Sequence, residues 1–190
     1  MTLKLKSQRV SKASASTSVA TDARDDRRVA KRVAALAQRL QSTQATLAVA
    51  ESCTGGYLSK VLTDRPGSSE WFLGGWVVYS NAAKVRDGKV PQRVLEVDGA
   101  VSEATVRALA RSVLKRFQSD WSIAISGVAG PSGGSPAKPV GSVWLAIGRR
   151  QARHHVVQTY WCQFRGNRDA VRRQSVAVAL EQLEAWLAEG

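Results

Sequence analysis

The sequence predicts one α/β domain, a mixed sheet flanked by helices on both faces. Three observations carry that expectation. Short apolar runs alternate with segments of helical spacing, and two such runs follow one another near the end. The chain has 190 residues, 44% of them hydrophobic, which suffices for one core.

Each element has its own warrant. From Val29, "VAKRVAALAQRLQ" spaces apolar residues as a helix does. "TLAVAES" is short, apolar and partly β-branched, a buried strand. "GGYLSKVLTDRPG" reads as a helix stopped by Pro66 and Gly67. "SSEWFLGG" predicts a short helix capped by Ser68, "WVVYS" a strand, and "NAAKVRDG" a helix capped by Asn81. "VSEATVRALARSVLKRFQ" is the clearest helix, with Ser102 as cap and Glu103 in its first turn. "WSIAISGVAGPSGG" is a buried strand entering a glycine-rich loop, and "GSVWLAIG" and "RHHVVQTYWCQF" are strands joined by a turn. Behind Asn167, "NRDAVRRQSVAVALEQLEAWLAE" is a long helix.

Composition removes several classes of function. No apolar stretch approaches the roughly 20 residues of a membrane helix, and the N-terminus lacks the apolar centre of a secretory signal. A cytoplasmic protein is the expectation. Cys53 and Cys162 are too few for a disulfide framework, and His154 and His155 are adjacent and would face opposite ways on a strand. Hence no metal site is expected. The net charge is +13. Residues 1–28 hold seven Lys/Arg against three Asp, with no aromatic residue and no periodicity. They read as a disordered basic tail ahead of a domain spanning 29–190. The remaining basic residues read as solvated surface, so nucleic acid is not the expected partner.

Two polar loops, "ESCTGG" and "SGVAGPSGG", each follow the C-terminal end of a strand, the edge where open α/β sheets bind ligands. "ESCTGG" admits two readings, a tight strand-to-helix turn or an anion cradle at a helix N-terminus. A Ser-His-Asp triad is poorly supported, because Ala50 and Thr54 stand where a nucleophile elbow needs glycine. "GSSEWFLGGWVVYSNAAK" gathers two serines, Tyr79 and Lys84 within eighteen residues. Lys84 in an early helical turn meets an unfavourable dipole, and partial burial would lower its pKa towards that of a neutral base.

"AESCTGG", "GSSEWFLGGWVVYSNAAK", "GAVSEATV", "AISGVAGPSGG", "KPVGSVW" and "FRGNRDAVR", in that order, closely resemble the CinA C-terminal domain family of nicotinamide-nucleotide amidohydrolases. The resemblance runs from about Val29 to the C-terminus and corresponds to the stand-alone form of the domain. It implies hydrolysis of the carboxamide of nicotinamide mononucleotide to nicotinate mononucleotide and ammonia, within pyridine nucleotide recycling. It further implies a serine nucleophile with lysine and tyrosine and no cofactor. Carried onto this chain, these are Ser69, Lys84 and Tyr79, with Ser52 open to a catalytic or binding role. Ser126, which stands where many relatives have threonine, and Arg168 are carried over as site residues, and with Gly127 and Gly130 they make one substrate-binding wall. Ser52, Thr54, Gly55 and Gly56 make the other. A homodimer is implied, with Trp71 and Trp76 expected at the surface.

Two rival readings stand beside this one. Cys53 at a helix N-terminus would be a thiol nucleophile of lowered pKa, although no histidine is placed to assist it. Alternatively the chain is a competence- or DNA-damage-associated binding module that uses its basic surface.

Overall fold

The computed structural model describes residues 8–10, 19–152 and 154–189. The sheet has the order β1-β6-β5-β4-β2-β3. Its strands are β1 (Gln8–Val10), β2 (Leu47–Glu51), β3 (Phe72–Val77), β4 (Trp121–Gly127), β5 (Ser142–Arg149) and β6 (Val156–Gln163). β4, β2 and β3 are mutually parallel, β5 is antiparallel to β4 and to β6, and β1 lies parallel to β6. The mixed sheet expected from the alternation of elements is present.

Strand alternation sorts the two faces by size. Leu47, Val49, Ile123, Ile125, Leu145 and Ile147 share one cluster with α1 (Val19–Ser42), α2 (Tyr57–Thr63) and α6 (Arg168–Glu189). Ala48, Ala50, Ala124 and Ala146 face α5 (Glu103–Phe117), whose Val106, Leu109 and Val113 fill the space that the alanines leave. Small residues on one face and branched ones on the other let a single helix lie close beneath the sheet while three helices cover its reverse.

Several local expectations are corrected. "SSEWFLGG" forms only one 3₁₀ turn, Ser68–Glu70, entered through Gly67 at φ 79° with no side-chain cap from Ser68. β3 then begins at Phe72, four residues before the expected strand. Gly75 allows this pairing, since a Cβ there would lie 2.5 Å from the Val49 carbonyl oxygen on β2. α3 (Asn81–Arg86) is capped by the Ser80 hydroxyl, which accepts from the Ala83 N–H, so Asn81 is the first helical residue and not the cap. A short helix that the sequence reading missed, α4 (Gln92–Val97), precedes α5. The caps at Ser102 and Asn167 are as expected. Trp71 is buried in the core and Trp76 packs on Phe117, so neither is a free surface ring.

The tail expected over residues 1–28 falls partly outside the described residues. Of those described, Gln8–Val10 pair with β6, and α1 starts at Val19, ten residues before the expected boundary. "DARDDRR" lacks an apolar stripe, which hid this turn of helix, but its alanine and arginines are good helix formers.

Candidate active site

β2 and β3 end side by side, and the chain leaves each at the same edge of the sheet. Beyond β2, Ser52 donates its N–H to the Ile125 carbonyl and is fixed against β4. Beyond β3, Val78 donates its N–H to the Glu51 carbonyl, and Ser80 caps α3 and turns the chain back. That turn sends Lys84 inward. Its side chain is 2% exposed, among the largest fully enclosed side chains of the molecule.

The Lys84 Nζ has three neighbours: Ser52 Oγ at 3.0 Å and the carbonyl oxygens of Val78 at 2.9 Å and Tyr79 at 3.0 Å. A neutral amine has two protons and one lone pair. In that neutral form the two carbonyls would take the protons and leave the lone pair for the Ser52 hydroxyl, whereas in the ammonium form Nζ donates to all three oxygens. Burial pushes the Lys84 pKa below the ordinary lysine range, as the neutral form requires. The structure therefore joins Lys84 to Ser52.

Ser69 is not brought to Lys84. It lies in the turn that precedes β3, whereas Lys84 lies past the other end of the strand. Five residue steps of β3 separate Phe72 from Val77, roughly 16 Å at the usual strand rise. The expected approach of the "PGSSE" turn to the β3–α3 junction fails because β3 is longer than the sequence indicated and holds the two apart within the chain.

A cavity of about 340 Å³ opens beside the pair, lined by Ser52, Cys53, Tyr79, Asn81, Lys84, Ala100, Val101, Ser126, Arg168 and the loop following β4. Gly127 and Gly130 belong to that loop and line the cavity. Among the described residues, the N–H groups of Ala129 and Gly130 donate to no protein acceptor. Ser126 is 1% exposed and donates its hydroxyl to the Ala100 carbonyl at 2.7 Å, which ties the wall before α5 to the end of β4. Arg168 reaches across the rim, donating to the Gly130 carbonyl at 2.9 Å and to the Tyr79 hydroxyl at 2.6 Å. Tyr79 thus holds an arginine at the mouth, and only its backbone carbonyl touches the lysine. A larger cavity, about 920 Å³, lies at the opposite end of the sheet beside Arg39, Asp120 and Arg149, and none of the expected site residues lines it.

"ESCTGG" resolves differently from the expected cradle. The N-terminus of α2 is already occupied by the fully buried Glu51. Its carboxylate accepts from the N–H groups of Gly56, Leu58 and Ser59 and from the Ser59 hydroxyl. Gly55 donates its N–H to the Ser52 carbonyl. Thr54, Gly55 and Gly56 do not line the cavity and form the turn behind Ser52. Gly55 and Gly56, at φ 59° and 93°, permit that turn. Cys53 lines the cavity, but burial pushes its thiol up to about 11, against the lowering expected from a helix N-terminus. Glu51 has already taken that helix end.

Sequence reasoning missed Arg172, which donates from Nε and Nη2 to the Thr54 carbonyl at 3.0 and 2.6 Å. The signal was present, because Arg172 stands four residues after Arg168 in "GNRDAVR" and so shares its helix face. Among the described residues no group of three His, Cys, Asp or Glu side chains is placed to hold a metal ion.

An α/β sheet with a buried hydroxyl–amine pair at its carboxyl edge, opening on a polar cavity, defines an α/β protein built for chemistry on a small molecule. The chain belongs to the CinA C-terminal domain family, whose profile matches residues 29–187. It is 49% identical over 146 residues to the nicotinamide-nucleotide amidohydrolase PncC of Escherichia coli K12, covering 77% of this chain and 87% of that protein. The protein of the same name from Pseudomonas putida is 47% identical over 148 residues, covering 78% and 90%. Among solved structures, competence damage-inducible protein A of Klebsiella pneumoniae superposes with a TM-score of 0.80 at 34% identity, over 84% of this chain and 97% of that one. No helix among the described residues is long and apolar enough to cross a membrane.

Proposed function

We propose that this protein hydrolyses the carboxamide of nicotinamide mononucleotide, with Ser52 as nucleophile and Lys84 as its base, as part of cytoplasmic pyridine nucleotide recycling. The observation that carries the mechanism is the 3.0 Å contact of the Lys84 nitrogen with the Ser52 hydroxyl in a buried setting. Similarity to two nicotinamide-nucleotide amidohydrolases supports the choice of substrate.

The geometry supports the following steps. Ser52 Oγ attacks the carboxamide carbon while Lys84 Nζ takes the hydroxyl proton. The free N–H groups of Ala129 and Gly130 are on hand for the oxyanion. Lys84 then passes its proton to the departing nitrogen, the C–N bond breaks, and ammonia leaves a seryl ester. Water attacks the ester with Lys84 again as base, which frees Ser52 and releases the nicotinate carboxylate. Arg168 at the rim offers charge and planar donors to the 5′-phosphate. A homodimer is part of this reading, supported by Leu73 and Val77, which are exposed on the edge strand β3; light scattering in solution tests it.

Incubation of the purified protein with nicotinamide mononucleotide should release ammonia and nicotinate mononucleotide in equal amounts. No ammonia from wild-type protein under conditions where it is folded would sink the proposal.

A further inference from the structure

We infer that Arg172 is a positioning residue for this reaction: its guanidinium clamps the Thr54 carbonyl and so fixes the loop that presents Ser52 to Lys84. This rests on the reading of Ser52 and Lys84 given above. Two N–H groups of one planar side chain converge on a single carbonyl, at 3.0 and 2.6 Å. The same oxygen also accepts the Tyr57 N–H, so the peptide at Thr54 is gripped from two sides. Two residues upstream stands Ser52. Its carbonyl accepts the Gly55 N–H within the same turn, so a rotation at Thr54 is transmitted to Ser52.

β4 holds the start of the turn at the Ser52 N–H and the Glu51 carboxylate holds its end at the Gly56 N–H, and between them the Thr54 carbonyl is met by the Tyr57 N–H and Arg172. Gly55 and Gly56 both lie at positive φ, and the Thr54 hydroxyl is fully buried without a hydrogen-bond partner. A backbone this permissive samples other conformations unless an outside group fixes it. α6 supplies that group and a second one. Arg168 and Arg172, one helical turn apart, hold Gly130 on one wall of the cavity and Thr54 behind the other. One rigid helix thereby sets the spacing of both loops. Arg172 does not line the cavity, so its effect runs through the loop and not through contact with the substrate.

The test compares wild type, Arg172→Lys and Arg172→Gln. Lysine keeps the charge but offers no planar fork, and glutamine keeps N–H donors without charge. Two readouts are taken: steady-state turnover of nicotinamide mononucleotide, and the rate and final extent of Ser52 modification by a fluorophosphonate, mapped by mass spectrometry. In that modification the Oγ–P bond forms, fluoride leaves and Lys84 takes the proton.

Arg172→Lys should lose about ten- to a hundred-fold in kcat, the cost of a misplacement on the order of 1 Å. Its KM should change by no more than about threefold, and the pH profile should not move. Ser52 labelling should slow by a similar factor yet finish at one label per chain, which separates misplacement from a shrunken folded fraction. Arg172→Gln should fall between lysine and wild type, and serves alone if the lysine variant does not fold. Labelling and turnover in both variants within about threefold of wild type overturn the inference. Wild type that labels at Ser52 but leaves the nucleotide intact removes the substrate reading, while the labelling rates still decide the role of Arg172. Wild type that never labels at Ser52 removes both.

Discussion

The Lys84 nitrogen and the Ser52 hydroxyl lie 3.0 Å apart across 32 residues of sequence, because two parallel neighbours, β2 and β3, end at the same edge of the sheet. Neither residue needs a histidine or an acid to make that contact useful. Once neutral, a buried amine whose protons go to two carbonyls has its lone pair left for the hydroxyl, which is the arrangement the proposed base requires.

Ser52→Ala and Lys84→Ala should each lose turnover by several orders of magnitude while staying folded, with ammonia release as the measurement. Combining them should cost little more than either alone, since groups acting as one unit are not additive. Ser69→Ala should stay near wild type. Loss of activity in Ser69→Ala with retention in Ser52→Ala would return the nucleophile to the turn before β3.

The placement of Ser69 shows where sequence legibility ended. Helix caps at Ser102 and Asn167, the alternation of strands and helices, and the two glycine loops at one sheet edge could all be read locally. The start of β3 could not, because "FLGG" carries two glycines, which argue against a strand. What makes it one is Gly75 lying against the Val49 backbone, a contact known only once β2 is beside it. The role of Glu51 was hidden for a similar reason. Nothing local says that its side chain turns back to occupy the start of α2.

The pH dependence follows from the sign of the Lys84 shift. Burial favours the neutral amine, so kcat/KM should rise with pH along a limb centred below the ordinary lysine value. The same shift acts on stability in a defined direction. Below the folded-state pKa the fold must enclose an ammonium, and that penalty is fully present. It is relieved as pH climbs from the folded value towards the unfolded one. Lys84→Met should therefore be inactive yet melt higher than wild type at neutral pH, with the gap narrowing in alkaline buffer. A lower melting temperature for Lys84→Met at neutral pH would show that the three hydrogen bonds outweigh the desolvation.

Cys53 gives a contrasting expectation. With burial pushing its thiol up to about 11, almost no thiolate exists at neutral pH. Cys53→Ala should keep turnover within a few-fold, and iodoacetamide should inactivate the wild type slowly if at all, faster as pH rises. Rapid inactivation of wild type at neutral pH, with protection in Cys53→Ala, would revive the thiol as nucleophile.

Glu51 separates the two readings of "ESCTGG" most sharply. Its carboxylate receives three backbone N–H groups and one hydroxyl at the start of α2, at distances of 2.6 to 3.0 Å. Replacement by alanine strands those N–H groups in a dry interior beside the Ser52 loop, a loss of about 3 kcal/mol at the usual worth of hydrogen bonds to a charged group. Glu51→Gln should lose less, because one amide oxygen still accepts while its NH₂ meets donors. Denaturant unfolding measures both. Had this helix end been the phosphate cradle, removing a resident carboxylate would free the N–H groups for the nucleotide and lower its KM. The proposed site predicts the reverse order of effects: stability falls first, and KM for nicotinamide mononucleotide does not improve, because the proposed phosphate contacts, Arg168 and the loop after β4, are left untouched. A Glu51→Gln enzyme that is as stable as wild type and binds the nucleotide more tightly would restore the cradle.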